Sequence, residues 1–258
     1  MSFPLRLTAD LTIALATRAL SRRSSYPILQ LSADELFRAA SESPAADNPQ
    51  GGNDPLSSVA GIPRHRSPII WIRGSEPLDY PGVARLANLL AASGRHVFLE
   101  TSGASLKPRL HEFQPSSRLY LAIRLNTGGA ARDSIGNHAG ILPVGLEAIR
   151  MARLAGFFTC ARLIVRLGTP NSEIDELCAS VRALDIDGFL ISPDSVAPEL
   201  KPVVTAGRRR LLNRRCALLS SLLDTGPLSA TLQNSSEMEH APLPESHQDS
   251  FGESAGAG

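Results

Sequence analysis

The chain has 258 residues, 43% of them hydrophobic, with 26 basic and 25 acidic side chains and a formal charge of +1. This length suits one large α/β domain with tails, and the balanced charge excludes a global attraction to nucleic acid or to an anionic membrane, leaving only local patches. The three cysteines, Cys160, Cys178 and Cys216, form neither a disulfide framework nor a C-x-x-C unit. No apolar run reaches the roughly 20 residues of a membrane span, and Asp10 and Arg18 interrupt the N-terminal apolar stretch. A cytoplasmic location is expected.

Residues 1–25 predict an N-terminal amphipathic helix. Leu7, Leu11, Ala14, Leu15 and Ala19 share one face, and Arg18, Arg22 and Arg23 follow, where cations suit the helix dipole. This face is expected to pack on the domain. Peripheral membrane contact is the weaker alternative, because aromatic anchors are absent. Residues 27–31 read as a first strand. Residues 39–67, with Pro44, Pro49, Pro55, Pro63 and a Gly-Gly pair, read as an irregular loop. From residue 68 the pattern is regular. Strands over 69–73, 96–100, 119–125, 158–165 and 188–191 alternate with helical spacing over about 80–93, 105–113, 142–155 and 172–184. The segment 126–140 is a polar, glycine-rich loop. Residues 196–223 are expected to be helical, and 224–258, rich in Ser, Glu, Pro and Gly, to be a disordered tail. Strand–helix alternation with buried strands gives a parallel sheet, and periodicity leaves an incomplete barrel and an open sheet equally allowed.

The organising stretch is Pro68-Ile-Ile-Trp-Ile-Arg-Gly-Ser-Glu-Pro-Leu78, a buried strand running into a polar turn. Ligands of such folds sit where these turns lie, at the carboxyl ends of the strands. Glu76 and Glu100 end adjacent strands and are candidates to face one mouth, although glutamate there is also ordinary solvated turn chemistry. Arg124 interrupts an apolar strand, either at the rim with its stem packed or pointing inward as an anion ligand. Asp133 and His138 make a candidate acid–base pair in the glycine-rich loop. The six histidines lack zinc-binding spacing. Arg208, Arg209, Arg210, Arg214 and Arg215, interleaved with leucines, read as the solvated face of an amphipathic helix. An anionic lipid or phosphate ligand is the sharper reading, and the low aromatic content gives no support for base stacking.

Taken in order over residues 26–193, these elements and turns resemble the radical S-adenosylmethionine (radical SAM) family. Gly74-Ser-Glu-Pro77 is similar to that family's Gly-Gly-Glu-Pro turn, and Thr101-Ser-Gly103 to its Thr-Asn-Gly turn. Arg132-Asp133 with Ile135-Gly136, the Leu154-Ala-Gly-Phe157 helix end, and Pro170-Asn171 fall at matching places. Phe3-Pro-Leu5, Tyr26-Pro27 and Leu36-Phe-Arg38 are similar to the start of the hopanoid-biosynthesis branch, which transfers an adenosyl group. The resemblance implies a partial (βα)6 TIM-like barrel over residues 26–195. It also implies a remnant S-adenosylmethionine site at Gly74, Ser75, Glu76, Pro77, Thr101 and Ser102, with the turn's backbone groups and the acidic side chain holding the amino group. A [4Fe–4S] cluster is implied on a C-x-x-x-C-x-x-C loop after the first strand. The matching positions here are Ala39, Ser43 and Ala46, so no metal ligand stands there. The expectation is a pseudoenzyme with a scaffold role, or one binding an unknown small molecule or protein partner. The alternatives are an active enzyme with unconventional cluster ligands and an anion- or membrane-surface module through Arg208–Arg215.

Overall fold

The computed structural model describes residues 3–20, 26–42, 67–126, 141–194, 197–224 and 229–231. The chain opens with α1 (Leu5–Leu20), β1 (Ile28–Ser32) and α2 (Ala33–Glu42). Then come β2 (Ile69–Arg73), a 3-10 turn (Pro77–Asp79), α3 (Val83–Ala92), β3 (His96–Thr101) and the short α4 (Leu106–Arg109). Next follow β4 (Leu119–Asn126), α5 (Ile141–Leu154), β5 (Phe158–Val165), α6 (Asn171–Arg182) and β6 (Gly188–Pro193). The chain continues through α7 (Leu200–Leu211), α8 (Arg214–Asp224) and β7 (Ser229–Thr231).

The sheet order is β6-β5-β4-β3-β2-β1-β7, and every pairing is parallel. Strands β1 to β6 run in chain order and curl into a half-barrel, which settles the choice that periodicity leaves open. Two cores flank the sheet because successive side chains alternate between its faces. On the outer face Leu29, Ile70, Leu99, Leu121 and Leu163 pack with Leu86, Ile149, Ile174, Leu177 and Cys178 of the crossover helices. On the inner face Ile28, Trp71, Phe98, Tyr120, Cys160 and Leu190 pack with Phe3, Leu7 and Leu11 from the N-terminus and with Cys216, Leu219 and Leu222 of α8. Both faces being covered is why these strands read as continuous apolar runs.

Three local departures from the sequence expectation have physical causes. Helix α2 runs to Glu42, past the expected loop start at 39, with Asp34 and Glu35 in its first turn where acids favour the dipole. The expected single helical segment 196–223 is two helices. Leu212 is extended, and Asn213 restarts the helix by accepting the Cys216 N–H at 2.9 Å. Within the expected tail, Ser229–Thr231 pairs with β1 as β7.

Candidate functional site

The inner face changes character toward the carboxyl ends of the strands. In register, Trp71 lies opposite Phe98 and Phe98 opposite Tyr120. Their rings stack at 4.7 and 4.5 Å, forming an apolar floor. Higher up the face is charged: Glu100 on β3 lies one pleat above Phe98, opposite Ala122, and Arg124 on β4 and Arg162 on β5, register partners of each other, lie one pleat further.

Glu100 is the centre of this layer, with its side chain only 4% exposed. Its Oε2 accepts the Trp71 indole N–H at 2.7 Å and an Arg162 N–H at 2.6 Å, and its Oε1 lies 3.7 Å from Arg124 Nε. Charged and polar donors of this kind offset the cost of taking a carboxylate out of water. Arg162 also lies over the Trp71 ring, 5.8 Å from its centroid, and donates to the Ser192 hydroxyl at 3.4 Å. Beside them Arg73 donates to Gln30 Oε1 at 2.8 Å.

The turn after β2 is fixed from two sides. Asp34, in the first turn of α2, accepts the Ser75 N–H at 3.0 Å, the Ser75 hydroxyl at 2.8 Å and the Tyr80 hydroxyl at 2.5 Å. The Tyr80 hydrogen bond, first, and those of Ser75 hold the Asp34 carboxyl below its ordinary range, and the same carboxylate raises the Tyr80 phenol. Across the mouth Glu76 Oε2 accepts the Ser102 N–H at 2.8 Å and its hydroxyl at 2.5 Å, tying the second turn to the third. Thr101 is buried, and its hydroxyl accepts the Gly103 N–H at 3.0 Å. At Gly103, with φ of +91°, an added Cβ would sit 2.5 Å from that of Ala148, so only glycine fits this turn.

Arg124 resolves its two sequence readings by reaching across β3. It donates to the carbonyls of Gly74, at 2.9 Å, and of Ser75, and its Nη2 lies 3.9 Å from Glu76 Oε2. The structure therefore brings together Gly74, Ser75, Glu76 and Ser102 with Glu100 and Arg124, while Pro77 is buried as the first residue of the 3-10 turn. Sequence reasoning missed Trp71, Arg162, Asp34 and Tyr80. Arg162 carried a usable signal, a charge inside an apolar strand, identical to that of Arg124. Positions 43 and 46 and the pair Asp133 and His138 lie outside the described residues, and Ala39 falls in α2.

The cysteines are distributed over both cores. Cys160 and Cys216 lie in the inner one and Cys178 in the outer one, all buried and unpaired as thiols. Burial raises the Cys160 and Cys216 thiols and pushes Cys178 up to about 12. At Cys216 burial outweighs the opposing charge of Arg215. Among the described residues, no group of three or more His, Cys, Asp or Glu side chains is placed to hold a metal ion. Of the basic cluster, Arg208 binds the Ile191 and Ser220 carbonyls and Asp224, Arg210 pairs with Asp175 at 2.8 Å, and Arg215 donates to the Phe3 carbonyl. Burial raises the Asp224 carboxyl, with Arg208 opposing it. No helix among the described residues is long and apolar enough to cross a membrane.

No protein-family model and no curated protein matches the chain. Among solved structures it is similar to archaeal TYW1, at 15% identity over 70% of this chain and 59% of that one, with a TM-score of 0.42. TYW1 with a lysine–pyruvate adduct bound gives 15% identity, 69% and 59% coverage, and a TM-score of 0.44. Streptococcus suis SuiB bound to S-adenosylmethionine gives 12% identity, 80% and 48% coverage, and a TM-score of 0.48. The chain thus spans about half to three-fifths of these structures. These likenesses concern architecture and assign neither ligand nor activity to this chain.

Proposed function

We propose that this chain is a radical-SAM-like half-barrel that carries no iron–sulfur cluster of its own and acts by binding a small molecule or a protein partner. The observation supporting this reading is the placement of sulfur. A cluster of that family needs three thiolates brought to one point. The chain has three cysteines, and the sheet stands between Cys178 on one side and Cys160 and Cys216 on the other. Burial also keeps all three as thiols, whereas the thiolate is the ligating form. The residues present do not fit the cluster, and no reductive step follows from them.

A binding role is supported by the polar mouth, where Glu76, Ser102, Glu100, Arg124 and Arg162 converge above an aromatic floor. A few polar groups fixed in this way at the strand ends can orient a ligand without needing a reactive centre. The test is turnover. After anaerobic incubation with iron and sulfide, protein, dithionite and S-adenosylmethionine are expected to give no 5′-deoxyadenosine above the protein-free control. Formation of 5′-deoxyadenosine in proportion to protein would contradict the reading.

A further inference from the structure

Three oxygens of the turn after β2 converge on one guanidinium: the Gly74 carbonyl, the Ser75 carbonyl and Glu76 Oε2. The turn's own nearby donors point the other way, since the Ser75 N–H and hydroxyl are both given to Asp34. The turn is therefore polarised, with Asp34 drawing its donors to one side and its acceptors left facing the mouth. Two carbonyls and a carboxylate, whose Oε2 also accepts the Ser102 N–H and hydroxyl, offer their acceptors as a receptor for an ammonium or guanidinium group.

We infer that this receptor is a cation site whose occupant is built into the chain: Arg124 fills it and excludes small molecules that would enter by a primary ammonium group. Arg124 is held from its other side by Glu100, which is itself fixed by Trp71 and Arg162, so the occupant is preorganised. A tethered group acts at an effective concentration in the millimolar range, against which a free amine at lower concentration competes poorly. Arg124 is 19% exposed, so cutting its side chain back opens the receptor to solvent without opening the core. The inference does not depend on the sulfur argument and stands or falls separately from it.

The experiment is calorimetric titration of the full chain with two probes, S-adenosylmethionine, which carries an α-ammonium, and methylthioadenosine, which lacks one. Wild type is expected to give no ammonium-dependent binding, meaning no difference between the probes. Arg124→Ala is expected to bind S-adenosylmethionine at least about tenfold more tightly than wild type does, with no gain for methylthioadenosine. Arg124→Lys, which retains a cation, is expected to stay closed. If Arg124→Ala fails to fold, Arg124→Gln removes the charge while keeping most of the stem, and the same gain is expected. A folded uncharged variant with no gain would overturn the inference, as would a wild type that already prefers S-adenosylmethionine as strongly as the variant does.

Discussion

Glu100 holds the mouth together through partners from three strands, and its removal should be felt as stability. Glu100→Ala leaves the Trp71 N–H without its acceptor and the Arg162 guanidinium, 13% exposed, without its carboxylate. Breaking a buried pair from one side costs about 3–5 kcal/mol, to be read as a shift of the urea midpoint, with Glu100→Gln losing less because an acceptor for the indole remains. A midpoint unchanged by Glu100→Ala would show that the layer is solvated in solution. The thiols give a second residue-scale check. Since burial raises all three, none should react with a thiol reagent at pH 8 in the native protein, and three should react after unfolding. Glu100 and Arg124 were legible as candidates because charge at the end of a buried strand stands out. Asp34 and Tyr80 were not legible, because they are 46 residues apart and meet only through the pairing of β1 with β2.

Helix α1 lies across the inner face, and its docking is a matter of shape and of one buried histidine. The Phe3 ring sits edge-on to Phe98 at 5.9 Å, and a Cβ added at Gly188 would lie 2.1 Å from it. Gly188→Ala should therefore destabilise strongly, and Phe3→Ala by about 3–5 kcal/mol. In the double variant the methyl enters the space left by the ring, so the combined loss should be smaller than the sum of the single losses, as a double-mutant cycle in urea would show. Strict additivity would contradict this docking. Below it, His96 is buried and contacts Asp10 of α1 at 2.9 Å, and burial lowers its basicity despite that carboxylate. The unfolded chain thus takes up the proton first. Stability from this group is complete above about pH 6.5 and falls as pH drops below that value toward the folded pKa. Urea midpoints from pH 7.5 to 5.5 should fall in wild type and fall less in His96→Gln. Helical spacing made the packing face of α1 legible, whereas its histidine contact was not, because a strand histidine gives no local sign of its partner.

At the scale of the whole molecule, the order of strands and helices was legible because each strand is apolar along its length and each crossover helix carries one stripe. Curvature was not, since a period of two residues is the same in an open sheet and in a half-barrel. The two-sided character of the sheet governs what the molecule can do chemically. It separates Cys178 from Cys160 and Cys216, gives the inner face its aromatic floor, and lifts the charged layer to the ends of the strands. The central claim, that this chain holds no cluster of its own, is tested most directly by iron and acid-labile sulfide per chain after anaerobic reconstitution and desalting, with the visible spectrum recorded alongside. The account predicts near-zero iron and sulfide and no broad absorption in the visible region. Stoichiometric iron and sulfide that survive desalting, and that disappear when Cys160, Cys178 and Cys216 are replaced, would contradict it.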